Sequence, residues 1–418
     1  MTLRRAISAI RQCFGDERGN VLAFMAFGLP IILGCAGLAV DTIQWVYAKR
    51  ELQGAADAAA IAGVYGLIQA GDMENAVDRS ISTHSWLDPK RSVSAEQSPE
   101  GYAADPFAVR VRIAVPANMT FSAMFMRKRP VISVEATATV VENGEFCAFA
   151  LGSANEDGIT IEPASRVEMK CGIGANSGSE KAITADGSSW LEAAKIVAFG
   201  GVAGEGVKSP ARGYGLRQKD PLADTEPPLI PNTGCPNVTV NAGARGRTDL
   251  EPGCYGNMVF NGPVRLLDGE YIVNRGNLIV GSTAEVTCRA CTIFLTSDSA
   301  ATEPGSIGKV RIDRHAKVQM SAPTQGPNAG ILIYQDRHAA NDKDRGENMI
   351  GGSSFSKLEG TLYFPQETLR IDAQMTPDLQ CARFVGRKLI LQGRVIVAKD
   401  CDSESVMKFR GTDVRLVG

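Results

Sequence analysis

The sequence predicts three architectures in series: a single transmembrane helix, an α+β module, and an all-β domain built as a parallel β-solenoid (β-helix). Three observations predict them. Val21 to Val40 is a charge-free stretch, long enough at ~1.5 Å per residue to cross a ~30 Å hydrocarbon core. The next stretch is dense in alanine and free of proline, and gives way to segments alternating apolar and polar residues with period two, the mark of half-buried strands. From Phe146 onward, short Val- and Ile-rich runs recur at steps of ~20–30 residues, the range in which internal repeats mean stacked coils. The chain therefore divides into residues 1–20, 21–40, 41–145 and 146–418.

The apolar segment is the only predicted membrane span. Arg4, Arg5, Arg11 and Arg18 precede it, and the first cations after it are Lys49 and Arg50. The positive-inside bias keeps the N-terminus cytoplasmic, so everything from Asp41 onward is exported. A cleaved signal has a core of ~7–15 residues and a small-x-small site; this core is longer and no such site closes it. A lipoprotein signal ending at Cys35 should be followed by polar residues, but Ala36 to Val40 continue the apolar run. A buried core helix would offer a polar face at helical period, and this segment has none. Pro30, with Gly28 and Gly34, predicts a kink, and Trp45 and Tyr47 read as interfacial belt residues.

Composition narrows the function. The formal net charge is −2 and no basic block follows the span, so nucleic acid is not an expected partner. His84, His315 and His338 are scattered, which argues against a histidine-ligated metal; no metal and no cofactor are expected. Cys13 falls on the cytoplasmic side and Cys35 in the span. The remaining cysteines are Cys147, Cys171, Cys235, Cys254, Cys288, Cys291, Cys381 and Cys401, an even number suited to an oxidising periplasm. Proximity in sequence favours the pairs 147–171, 235–254, 288–291 and 381–401.

After the span, Thr42 to about Ser80 reads as helix. Leu52, Ala55, Ala56, Ala59 and Ala60 recur at three- and four-residue steps and form a narrow small-residue face. Two readings of that face stand open: packing on the chain's own sheet, or a seam with partner subunits. Asp88 to Pro106 reads as a loop, Phe107 to Val115 and Val131 to Val141 as strands, and Asn118 to Met126 as a strand between them. A long helix followed by a few antiparallel strands is the plan of a pilin-like module. Beyond Phe146, runs such as Gly158–Ile161, Asn257–Phe260, Asn277–Val280 and Lys309–Ile312 are too short to bury private cores, but stacked they make one interior. Val202 to Pro236, with prolines clustered from Pro221, reads as an excursion across the outside of the stack. His338 to Gly352 reads as a polar loop at a coil edge.

The opening RQCFGDERGNVLAFMAFGLPIILGCAGLAVDTIQWVYAKRELQGAADAAAIAG closely resembles the N-terminal segment of TadG-like proteins of the bacterial Tad/Flp pilus-assembly system. YIVNRGNLIV, SAPTQGPNAGILIYQDR and GTLYFPQETLRI resemble the glycine-rich β-solenoid that follows this anchor in some members. The resemblance implies an inner-membrane, periplasm-facing component supporting assembly or anchoring of an adhesive pilus, with other pilus-assembly proteins as partners. Two departures matter. Related minor pilins carry Glu at the fifth position after a processing glycine, and after Gly19 that position is Phe24, so prepilin-type cleavage is not expected. Other members carry a von Willebrand A domain with an Asp-x-Ser-x-Ser motif; the nearest strings, at Asp186 and Asp298, do not fit it, so no Mg²⁺ site is expected.

Parallel β-helices also host polysaccharide lyases and hydrolases, whose chemistry needs carboxylates converging on one groove. The best candidates are Asp336 with Arg337, near Asp342 and Asp344, and Asp268 with Glu270. The expected role is structural: Asp336 satisfying turn amides and Arg337 reaching an adjacent coil. Cys288-Arg-Ala-Cys291 lacks both the haem-attachment histidine and a second zinc pair, which favours a structural disulfide. Val207 breaks the phosphate-loop pattern at Gly201 to Ser209. Trp190 reads as a core or cap residue rather than a sugar platform. The expectation is a non-enzymatic protein; the alternative is a membrane-tethered carbohydrate-active or glycan-binding β-helix protein, with cell-wall glycan as partner.

Overall fold

The computed structural model describes residues 20–84, 91–231, 234–243, 246–341, 346–398, 401 and 406–417. Arg4, Arg5, Arg11, Cys13, Arg18, Asp342 and Asp344 lie outside them. The chain divides into two compact units, Met1–Val141 with Val414–Gly418, and Glu142–Asp413. The closing residues thus belong with the first unit and not, as the sequence predicts, with the β-rich region.

In the first unit the span and the helix after it are one element, α1 (Asn20–Gln69), helical through Pro30. The single helix predicted to about Ser80 instead breaks after Gln69. Gly71 takes φ +66°, a left-handed conformation that glycine adopts without a Cβ penalty. The Asp72 carboxylate then accepts the Asn75 amide at 3.0 Å and starts α2 (Met73–Ser82). A Cβ on Gly66 would overlap Ala76, so glycine there lets α2 fold closely back on α1.

An antiparallel sheet follows: β1 (Ser92–Gln97), β2 (Val109–Pro116) and β3 (Val131–Ala150), with β1 on β2 and β2 on β3. β1 lies inside the segment predicted as loop; its polar sequence suits an edge strand with little burial. β2 shows the predicted alternation, burying Val109, Val111, Ile113 and Val115. Leu52, Ala55, Ala56, Ala59 and Ala60 are all at most 1% exposed, on a helix that packs against β2. The partner-seam reading of that face is therefore corrected: small residues there bring the helix close to its own sheet, and Gly63 leaves room for the Val109 side chain. Asn118 to Met126 is not a strand. It is an irregular loop with a 3-10 turn at Ser122–Met124, because its amides bond to α1 and to each other instead of to a ladder.

The second unit is mostly strand, in parallel pairing, arranged as three ladders. One ladder steps through 258–260, 278–280, 310–312, 348–350, 369–371, 389–391, 159–161 and 183–185. A second aligns Tyr271, Ile293, Ile333, Leu362, Phe384, Ala148, Ile173 and Ile196 on its inner face. The third includes 263–266, 285–288, 317–321 and 357–359. Inward Val, Ile and Leu columns make one continuous buried core, the economy that stacking allows to runs of three to six residues.

The order of levels departs from chain order. Strand 382–397 stacks on 148–150, 159–161 and 166–169, so strands late in this unit join its first ones. Residues 202–203 and 211–212 still pair in the stack, so the predicted excursion from Val202 begins only after Arg212. Likewise Asn348–Ile350, inside the predicted loop His338 to Gly352, is a paired strand.

A short corner motif sets the repeat. Asn237 Oδ1 accepts the Asn257 amide, Asn257 Oδ1 accepts the Asn277 amide, and Asn277 Oδ1 accepts the Lys309 amide, at 2.6–2.9 Å. Just before each strand, Gly256, Gly276 and Gly308 stack so closely that a Cβ on Gly308 would overlap the Gly276 carbonyl. The cysteines pair as 147–171, 235–254, 288–291 and 381–401, with Cα–Cα separations of 4.9–6.1 Å.

Candidate functional site

Three surfaces bear on function. The first is the apolar end of α1. Phe24, Phe27, Ile31, Ile32 and Leu33 are all at least 60% exposed, and α1 is the one described helix long and apolar enough to cross a membrane. Its exposure is broken along one face, at Gly34, Gly37 and Asp41. Asp41 is fully buried. Its carboxylate accepts the amides of Thr120, Phe121 and Ser122 at 3.3, 3.0 and 2.6 Å, and the Ser122 hydroxyl at 2.6 Å. Trp45, predicted as an interfacial residue, donates its indole N–H to the Asn118 carbonyl at 2.7 Å.

The second surface is an outward column on the second ladder of the β-rich unit: Ile272, Phe294, Tyr334, Tyr363, Val385 and Phe149, level over level. Such a column would leave a large apolar stripe in water. Residues 213–231 cover part of it as a strap, and Phe409 packs against Phe149 with ring centres 6.0 Å apart. Leu222 is buried in one hydrophobic cluster with Phe294, Tyr334, Tyr363 and Phe149. The Tyr334 hydroxyl donates to the Thr225 carbonyl at 2.6 Å and the Tyr363 hydroxyl to Asp220 at 2.7 Å. Burial pushes the Tyr334 hydroxyl up to about 12 and, with the Asp220 carboxylate beside it, pushes Tyr363 higher still.

Arg337 belongs to this strap. It was expected to reach an adjacent coil; instead it donates to the Leu222 and Thr225 carbonyls at 2.8 and 3.1 Å and lies 3.8 Å from Asp220. The excursion runs outside the ladders, so its carbonyls are within reach of side-chain donors: the Thr225 carbonyl also takes the Tyr334 hydroxyl, and the Leu222 carbonyl the Thr225 amide. Asp336 turns inward, accepting the Thr296 hydroxyl at 2.6 Å and the His338 amide at 3.0 Å.

The third surface is an open groove of about 720 Å³ on the third ladder, lined by Arg247, Arg265, Arg289, Lys357, Asp268 and Glu359 among others. Asp268 and Glu270 do not share it: Glu270 is not in the lining, and accepts the Asn328 amide nitrogen at 2.6 Å. Burial works to raise the Glu359 carboxyl, but bonds from Lys357 and Ser321 outweigh it and hold the group below the usual range. A general acid needs the opposite shift. Trp190 is half-buried, with Arg166 4.7 Å and Lys208 5.5 Å from its ring centre. Among the described residues no three His, Cys, Asp or Glu side chains gather where a metal ion could sit.

An exposed apolar rod running into a helix that packs on an antiparallel sheet, followed by a cysteine-stapled, parallel-stranded region, defines the class: a membrane-associated protein with a large β-rich part. Residues 19–70 match the family described as putative Flp pilus-assembly TadE/G-like, so the N-terminal anchor carries a Tad domain, which supports a pilus-related role. No curated protein and no solved structure matches this chain.

The sequence pointed to the span, the cysteines and the excursion, and missed Asp41, the aromatic column and the cationic groove. Asp41 had a signal available, as the first charge after a long apolar run.

Proposed function

We propose that the protein is a non-enzymatic, inner-membrane-anchored component of Tad/Flp pilus assembly or anchoring, with its N-terminus cytoplasmic and its β-rich unit in the periplasm. The observation that carries this reading is the family match on α1, which among the described elements combines an exposed apolar rod with a buried small-residue face. The pilin-like plan of the first unit fits that role. The three-ladder unit is read as a parallel β-solenoid whose long faces dock other assembly proteins, and the cysteine pairs fit an oxidising compartment. The non-enzymatic reading is supported by the separation of Asp268 from Glu270 and by the ionised state of Glu359. Deletion should abolish surface pili while the pilin subunit is still made, and full-length protein should restore them. Normal piliation in the deletion strain would overturn the reading.

The groove favours a second reading, binding of an acidic glycan by Arg247, Arg265, Arg289 and Lys357. Full-length protein retained on immobilised acidic polysaccharide, released by salt and by Arg265→Glu with Lys357→Glu, would support it. Cleavage of the polysaccharide would instead favour an enzyme.

A further inference from the structure

We infer that the loop from Phe121 to Met126 is a second membrane element, a wedge inserted into the leaflet on the exported side beside the span, with Arg127, Lys128 and Arg129 seated on anionic lipid headgroups. The inference rests on the membrane-anchored reading of α1 and goes beyond it. The loop carries Phe121, Met124, Phe125 and Met126, all exposed, Met124 to 82%. Three cations follow at once, all exposed.

What covers this apolar surface is indicated by where it sits. The loop lies on the one face of the apolar rod that is not exposed. Phe121 packs on Gly37 so closely that a Cβ there would stand 2.7 Å from the phenylalanine's Cβ and Cγ, and Phe125 reaches Gly34, where a Cβ would be 3.6 Å from its Cζ. Gly34 is seven residues before Asp41, about 10 Å along the helix axis. Whatever solvent surrounds Phe27 and Ile31 therefore extends along the same rod toward Phe125. A penetration of about 10 Å is the depth at which apolar faces of interfacial segments lie.

Irregular backbone is tolerated at that depth only when its polar groups are satisfied. Here six backbone amides of the segment are. Asp41 takes the amides of Thr120, Phe121 and Ser122, and the amides of Met124, Phe125 and Met126 bond to the carbonyls of Phe121 and Ser122. A soluble loop has no need of this, since water would serve. The Asp41 clasp thus gives a loop of large apolar side chains a backbone that can leave water, and the basic triplet marks the level of the headgroups.

The test uses full-length protein carrying p-benzoylphenylalanine at Met124, at Phe27 in the span, or at Leu229 in the strap, reconstituted in bilayers of phosphatidylcholine with phosphatidylglycerol. Photolysis should give lipid adducts at Phe27 and Met124 in comparable yield, and none at Leu229. The Met124 adducts should be enriched in phosphatidylglycerol, by roughly fivefold per cation, and the enrichment should fall when Arg127, Lys128 and Arg129 are all replaced by Gln. Lipid adducts at Phe27 but none at Met124, or a protein adduct at Met124 in cell membranes, would overturn the wedge and leave the anchor standing. No lipid adduct at Phe27 would overturn the anchored reading and the wedge with it.

Discussion

Asp41 and Ser122, eighty-one positions apart, share two hydrogen bonds of 2.6 Å, from the Ser122 amide and from its hydroxyl to the same carboxylate oxygen. One side chain on α1 therefore organises a loop that has no ladder of its own. Asp41→Ala removes the acceptor of three amides at once. Hydrogen exchange at Thr120, Phe121 and Ser122 should accelerate strongly, and trypsin should cut faster at Arg127, Lys128 and Arg129. Asp57→Ala, a change elsewhere on the same helix, should leave both readouts unchanged. Unchanged exchange in Asp41→Ala would show that the loop is held by something other than the clasp.

The strap should be separable from the stack it covers. Leu222→Ala removes a buried side chain from the aromatic column and should cost about 2–4 kcal/mol, read as an earlier midpoint in urea. Leu229→Ala, in the same strap but almost wholly exposed, should stay within about 0.5 kcal/mol of the parent. Equal effects at the two positions would mean that the strap does not seal the column.

Alkali should loosen the same contact. Tyr334 and Tyr363 are neutral in the fold with their hydroxyls raised, whereas in the unfolded chain they ionise near ~10. A raised group stabilises fully below the unfolded value and loses that contribution as pH climbs through the folded one. Stability should therefore hold up to pH ~10 and decline toward pH ~12. Absorbance of tyrosinate at alkaline pH should rise in two phases, the later one coinciding with unfolding. A single phase near pH ~10 with the fold intact would refute the burial of these hydroxyls.

The same substitution should have opposite signs at two glycines. Gly308→Ala pushes a methyl group into the Gly276 carbonyl of the next level and should cost at least about 1–3 kcal/mol. Gly54 lies in α1 with nothing near its missing Cβ, and Gly54→Ala should stabilise by about 0.5–1 kcal/mol. Thermal midpoints of the two variants decide the matter.

Non-reducing peptide mapping should recover four short-range cystine links and no long-range one. Replacing Cys147 and Cys171 together by serine frees a loop of 24 residues, and should cost about 3 kcal/mol.

How much of this was legible before the structure varies by element. The span announces itself through charge alone, and β2 through strict alternation. The antiparallel pairing of β2 with β3 belongs to the pilin-like plan, but β1 was hidden in a polar stretch that reads as loop. Asn118 to Met126 misled because Met119, Phe121 and Phe125 look like a strand's apolar side when nothing indicates that their backbone partners lie in α1. The corner motif was visible as Gly256-Asn257 and Gly276-Asn277, twenty residues apart, but two instances do not stand out in a chain with 44 glycines. Period-two runs identify strands without identifying neighbours, so nothing in residues 148–169 announces that their partner is 382–397. The cationic groove was hidden for the same reason: Arg265, Thr287, Gln319 and Lys357 become a row only once register is known.

That junction of 382–397 on 148–169 has a consequence for biosynthesis. The earliest strands of this unit to emerge from the ribosome present a bare edge to which the right occupant is synthesised more than two hundred residues later. Until it arrives, the nascent chain holds an unsatisfied template inside its eventual stack. A prematurely terminated product would thus lack the keystone rather than merely the tip, and should be recognised and degraded instead of accumulating as a shortened but sound particle.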